Sequence, residues 1–263
     1  MRPYWAILSA RFRVLLQYRA AAAAGLATQV FWGFIRIMIF AAFYAAKPEG
    51  QPMTFGQVVT YIWLGQALLR MMPWGYDAEV RTMIRSGTLA YEMVRPVKLY
   101  WFWYTRSLAG LMAPTVLRAV PMLVLAGLFF GLEPPASWAS LGAFLAAIGA
   151  SLLLGAAIAT LLTITMLWTI SGEGIASLIN AAVWLFSGIM IPLPLFPDWA
   201  QAMLKALPFR GIFDTPLQLY TGLIPAAQMP GLLLNQLAWA AGMVALGQFV
   251  LSRGTRRLVV QGG

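Results

Sequence analysis

Between Arg19 and Lys47 the chain carries a single charge, Arg36. A run of this length is enough to cross a bilayer, which needs about 20 mostly apolar residues. Further long apolar runs follow, and breaks rich in proline and glycine divide the chain into six segments: 21–46, 54–73, 107–131, 137–168, 175–191 and 231–251. The composition agrees. Only 10% of residues are charged, against about 25% in soluble domains. The expectation is an all-α integral membrane protein with six transmembrane helices, forming one domain over 1–263.

The chain has no Cys and no His. That excludes disulfides, thiolate or imidazole metal ligation, and Ser-His-Asp or Cys-His catalysis. None of the lysines Lys47, Lys98 and Lys205 follows the glycine of a G-x-x-x-x-G-K-[ST] phosphate loop. No catalytic residue, metal site or cofactor is therefore expected on this chain, and ATP, if it drives the protein, binds elsewhere. The net charge of +10 comes from cations that flank apolar runs and form no soluble basic face. Membrane lipids and membrane orientation explain them better than nucleic acid does.

Arg2, Arg11, Arg13 and Arg19 interrupt the first 20 residues, unlike a cleaved signal peptide. Trp5, Leu8, Phe12, Leu15 and Leu16 recur at helical spacing. Residues 1–20 thus read as an amphipathic helix in the membrane interface, or equally as an extension of the first span. Lysine and arginine set the orientation. With the N-terminus inside, twelve cations fall on cytoplasmic pieces and three, Lys47, Lys205 and Arg210, fall outside. Both termini are then cytoplasmic, and so is the segment 74–106, which holds five cations.

That segment contains more than a turn. Asp77 has the chemistry of an N-cap, and Glu79 lies in the first turn, where the helix dipole favours acids. Ser86-Gly87 provides a stop. A second short element carries Glu92 and ends at Arg95-Pro96. The block KLYWFWYTR has the composition of an interfacial aromatic belt. A capped helix bearing both charge signs suits a docking site for a cytoplasmic partner. Val80, Met83 and Ile84 would fill a groove, while Arg81 and Arg85 would set orientation.

Seven prolines break the apolar segment 191–230, from Pro192, Pro194 and Pro197 to Pro230. Asp198 is placed to cap a short helix there. Irregular backbone at membrane depth is tolerated only against protein or a watery cavity. The segment reads as an outer re-entrant hairpin or as a pair of surface helices. Arg36 and Arg118 lie deep in spans with no acid in any span to pair with. Such charges face protein or water and suggest a translocation pathway or a subunit interface. Arg70 lies near a helix end and can snorkel. Ala143, Ala147, Ser151, Gly155, Ala159 and Thr163 recur every four residues, a face suited to close helix packing. Gly127 and Gly131 form one GxxxG.

Three stretches, IRSGTLAYEMVRPV at 84–97, FSGIMIPLPLFPDWAQAMLKALPF at 186–209 and RRLVVQGG at 256–263, together resemble the permease subunits of type-2 ABC exporters. The likeness is to a bacterial family of six-span permeases related to daunorubicin-type exporters, and it covers nearly the whole chain. It implies that Glu79 to Glu92, including Gly87 and Leu89 within the region 77–96, belong to a coupling helix that docks on a nucleotide-binding subunit. It implies that Pro192, Pro197, Trp199 and Phe209 belong to outer re-entrant helices that gate the exit. It further implies ATP and Mg on that separate subunit, a second permease chain, identical or homologous, and location in a bacterial cytoplasmic membrane. Alternating access of an amphipathic or lipid-like substrate is the expected activity. Two other classes remain open: a membrane-embedded lipid-processing enzyme, and a non-transporting partner of a signalling ATPase. The enzyme reading lacks paired carboxylates within the spans.

The orientation has a direct check. In intact cells, a cysteine introduced at Gly87 is expected to resist an impermeant maleimide, whereas one at Lys205 is labelled. Labelling at 87 overturns the topology.

Overall fold

The computed structural model describes residues 2–47, 49–94, 96–169 and 173–255. The C-terminal stretch 256–263, Arg95 and the first half of the SGEG turn lie outside these residues. All regular structure among the described residues is helical. Helix α1 (Arg2–Leu15) is separate from α2 (Arg19–Ala46), because the chain turns over 16–18. Helix α3 (Phe55–Leu68) continues into a 3-10 turn, Leu69–Met71. Two short helices follow, α4 (Ala78–Arg85) and α5 (Leu89–Met93), then the long α6 (Leu99–Phe129) and α7 (Trp138–Thr165). Helix α8 (Glu173–Phe186) leads into the broken outer region, which holds α9 (Asp198–Ala206) and α10 (Asp214–Thr221) among 3-10 turns. Helix α11 (Met229–Gly254) closes the order.

Helices α2, α6, α7 and α11 are long and apolar enough to cross a membrane. At 1.5 Å per residue, α2 reaches about 42 Å. Helices α3 and α8, with 14 residues each, reach only about 21 Å, less than the hydrocarbon thickness of about 30 Å. The expected fifth segment to residue 191 therefore stops early as a helix. Gly188 adopts a left-handed φ of +84° directly after it. A Cβ there would overlap the Tyr61 hydroxyl.

Helix α3 sits at the centre, with Ile62, Trp63 and Ala67 fully buried, packed by α2, α6 and α10. Its start is held by a capping box in which Thr54 accepts from the Gln57 amide and the Gln57 side chain accepts from the Thr54 amide. Helix α7 is the second axis and packs against α6, α10 and most extensively α11. The small-residue face proposed for it is buried within this one chain. Its Gly155 leaves room for Leu111 and for the Met71 carbonyl. The Gly127–Gly131 pair is not such a face within this chain: Gly131 follows the end of α6 at φ +72°, and a Cβ on Gly127 would meet nothing within 4 Å among the described residues. Helix α6 contains Pro114 and Pro121.

Between α7 and α11, Gln236 donates to the Gly211 carbonyl at 2.7 Å and to Ser151 Oγ at 3.1 Å. Ser151 also donates to Gly211 O at 2.7 Å. The carbonyl of the 3-10 turn Pro208–Gly211 is thereby satisfied inside protein, as irregular backbone requires. On the outside of the bundle, Phe31, Met38 and Ile39 of α2, Val120 and Leu128 of α6 and Leu178 of α8 are exposed. Exposed apolar side chains in this number suit lipid or another subunit.

Gly33 fits α2 against α3: a Cβ there would overlap the Trp63 ring. That ring cannot yield, since it stacks on Phe130 and its Nε1 donates to Phe130 O at 2.9 Å. Gly33→Ala is expected to cost about 1–3 kcal/mol, as overpacking does. Thermal unfolding in detergent should show the loss shrinking in a Trp63→Phe background.

Candidate functional site

Asp77 starts α4 as its sequence implies, accepting from the amides of Glu79 at 2.9 Å and Val80 at 3.4 Å. The same carboxylate takes a two-pronged bond from Arg106 of α6, at 2.8 and 3.1 Å. Arg106 also donates to Glu79 at 2.6 Å, and Arg11 of α1 bonds the other Glu79 oxygen. The Asp77 amide donates to Thr163 Oγ1 of α7 at 3.0 Å. Arg81 donates to Glu173 of α8 at 2.7 Å and to the Tyr76 hydroxyl. This loop is thus tied to four helices of the bundle.

Those ties divide the residues expected to face a partner. Val80 is fully buried and Leu89 is 2% exposed; both pack among Tyr100, Trp103 and Leu251. Met83 and Ile84 pack partly against the same cluster, and Glu92 is turned inward. Val80 and Leu89 therefore offer no surface to a partner, and Arg81 is engaged within the chain. What remains outward is the corner from Arg85 to Thr88, where Gly87 adopts φ +74° and a Cβ would meet nothing within 4 Å among the described residues. Tyr91 at 74% and Val94 at 80% exposure flank it. Sequence reasoning passed over these two. Their three-residue spacing, out of phase with Leu89 and Glu92, was the available signal.

The aromatic block is not a loop at the interface. It forms the first turns of α6, and Tyr100, Phe102, Trp103 and Tyr104 are buried, because the α4–α5 loop, α7 and α11 surround them. Only Trp101 is substantially exposed, at 36%.

The two deep arginines are apart. Arg118 donates to Ala21 O at 3.3 Å, and its guanidinium lies over Gly25, where a side chain would collide with it. Arg36 donates to Met190 O at 2.7 Å and lines a cavity between α2, α3 and α8. In the outer region, α9 begins at Asp198 itself, which makes no cap bond; Pro197 occupies the N-cap. Pro192 is buried, Pro197 and Trp199 are exposed, and Phe209 stacks on Phe186. Helix α10 is no surface element. Phe213 and Leu217 are fully buried in the core.

Helix α10 also holds an acid that sequence reasoning left in the outer segment without a role. Asp214 is 1% exposed. It accepts from Tyr61 at 2.9 Å and Gln218 at 2.6 Å, with Arg210 Nε at 3.8 Å. Its amide donates to Ser187 O at 2.9 Å. No local pattern links Tyr61 to Asp214 along the chain.

The family model for the ABC-2 family transporter proteins matches residues 30–262. The chain belongs to that family. It is a transmembrane permease subunit of an ABC transporter, a transport protein rather than a catalytic subunit, and the family implies an ATP-binding partner subunit. No curated protein and no solved structure matches it.

Partial burial alone would raise the Glu79 carboxyl, but the hydrogen bonds and charges of Arg106 and Arg11 outweigh it and hold it below its ordinary value. A depressed carboxyl contributes stability that is present above the unfolded value and lost as pH falls through the folded one. Hydrogen exchange across 77–93 is therefore expected to accelerate as pH drops through that range, after correction for the intrinsic rate. Glu79→Gln should flatten this dependence. An unchanged profile would show that the anchor does not act through Glu79.

Proposed function

We propose that this permease moves an amphipathic or lipid-like substrate outward across the bacterial cytoplasmic membrane by alternating access. The two short helices α3 and α8 serve as crossings together with the four long ones, giving six spans with both termini inside. ATP and Mg reside on a separate nucleotide-binding subunit. That subunit grips the corner Arg85–Thr88 with Tyr91 and Val94. Met83 and Ile84 lie behind it, and Glu79, Val80, Arg81, Leu89 and Glu92 hold it in place. The observation that carries this reading is the anchoring of α4 to α1, α6, α7 and α8 through Asp77, Glu79 and Arg81. A coupling element must pass a push on to the spans, and short charged contacts to four helices do that where a slack loop cannot. The α1 helix lies along the membrane surface, the outer region with Pro192, Pro197, Trp199 and Phe209 restricts the exit, and a second permease chain covers the exposed face of α2.

Surface changes separate docking from folding. Arg85→Glu with Tyr91→Ala is expected to weaken association with the nucleotide-binding subunit roughly tenfold, about 1.4 kcal/mol. The thermal stability of the permease should stay unchanged. The Arg85 contribution should fade at high salt. Pull-down and transport in reconstituted vesicles give the readout. Retention of both signals would remove the loop from the coupling role. Association and hydrolysis without transport of any amphiphile would favour the signalling-partner reading.

A further inference from the structure

The cavity beside Arg36 has a volume of about 590 Å³ and runs between α2, α3 and α8. Its walls are apolar, with Trp32, Ile39, Trp74 and Trp184 among them, and it opens to the outside of the bundle along α2, where Trp32 and Ile39 are exposed. Four polar side chains stand among these walls: Thr28, whose hydroxyl donates to Ala24 O at 3.2 Å, and Gln29, Arg36 and Gln66. Gln29 and Arg36 are seven residues apart, two helical turns, and so share one face of α2.

These groups are not at rest in the structure. Gln29 is 3% exposed, and neither of its amide atoms finds a hydrogen-bond partner among the described residues. Gln66 is 4% exposed, and its Oε1 is likewise unpartnered there. Among the described residues Arg36 makes one hydrogen bond, to Met190 O. A guanidinium has five N–H donors, and no acid is among the residues lining the cavity. Buried polar groups left without partners are costly, and gathering two amides and a cation in one greasy cavity has no packing advantage. A ligand that satisfies them accounts for the arrangement. It needs an anionic acceptor for the Arg36 guanidinium and the unpartnered Gln29 amide N–H, and an apolar body to lie against the indoles.

We propose that this cavity binds an amphiphile with an acidic head, of the carboxylate or phosphate-ester class, whose head lies between Arg36 and Gln29 and whose tail lies along Trp32, Ile39 and Trp184. This rests on the transport reading above and narrows its substrate class. A cationic amphiphile finds no counter-charge in the cavity and meets Arg36 instead. The acidic head has two sources, a bilayer phospholipid or a single-chain solute.

The test uses the purified full-length chain in nanodiscs of zwitterionic lipid, without any ATPase. The probes are tail-brominated dodecyl phosphate, dodecanoate and dodecyltrimethylammonium, and tail-brominated phosphatidylglycerol mixed into the bilayer. Quenching of tryptophan fluorescence reports occupancy, and the double variant Trp32→Phe, Trp184→Phe identifies the site by losing most of it. The expected result is saturable quenching by the acidic probes, at least tenfold weaker for the cationic one. Arg36→Met should weaken the acidic probes at least tenfold, and Arg36→Lys by less. Gln29→Leu should weaken them while leaving thermal stability equal or higher, which keeps a loss of binding distinct from a loss of folding. Quenching by phosphatidylglycerol alone assigns the site to bilayer lipid, and quenching by the single-chain acids alone assigns it to a transported solute. Equal binding of both charge types, or acid binding unaffected by Arg36→Met and Gln29→Leu, overturns the proposal. Transport that persists without acid binding sinks only this inference. Acid binding by a chain that transports nothing with its ATPase sinks only the transport reading.

Discussion

The guanidinium of Arg106 determines where everything on the loop side of the bundle lies. It donates to Asp77 through two nitrogens and to Glu79 through one of them, and it faces the Phe102 ring at 5.7 Å. The side chains of Arg106 and Asp77 are only 10% and 15% exposed. A pair this buried is stabilised by further hydrogen bonds: Asp77 also accepts two backbone amides, and Arg106 also donates to Glu79. Asp77 spends its other bonds capping α4, so the same carboxylate that starts the helix also fixes it to α6. The pair thereby sets the position from which Val80 enters the apolar cluster formed by Tyr100 and Trp103.

The other end of the bundle solves a related problem with neutral groups. Chain that is neither helix nor strand lies deep among helices there, and its polar groups must be met by side chains. Ser151 and Gln236 converge on the Gly211 carbonyl. Asp214 joins Tyr61 of α3 to Gln218 of its own helix, while its amide takes the Ser187 carbonyl at the end of α8. The two knots are centred on Gly211 and Asp214, three residues apart, and together they bind α3, α7, α8, α10 and α11. The outer region is therefore part of the core along α10, and peripheral only along α9, where Trp199 is 80% exposed.

Much of this was legible in local chemistry. Thr54 and Asp77 act as caps, Gly87 ends α4 in the left-handed region, and the small face of α7 is the buried one, because each signal is complete within a few residues. What escaped depends on partners far along the chain. Arg81 looked like a docking cation, yet Glu173, 92 positions away, claims it. Asp214 had no role assigned from the sequence, because Tyr61, which it joins, lies 153 positions back. The aromatic block has the composition of an interfacial belt, and composition alone does not tell a ring facing lipid from one facing a neighbouring helix. Helix α8 ends at Phe186 although apolar residues continue to Ile191, because Gly188 turns the chain toward Asp214.

Pro114 and Pro121 of α6 are seven residues apart, so both fall on one side of the helix, and Arg118 lies between them on that same side. Each proline deprives the carbonyl four residues earlier of its amide partner, at Gly110 and Leu117, and each resists straightening. Two weak points on one face give the helix a single soft plane of flexure, much as two notches cut into one edge of a rod decide which way it bows. Arg118 points from that face to Ala21 on α2. Flexure in that plane, on the face that carries Arg118, opens or narrows the seam between α6 and α2.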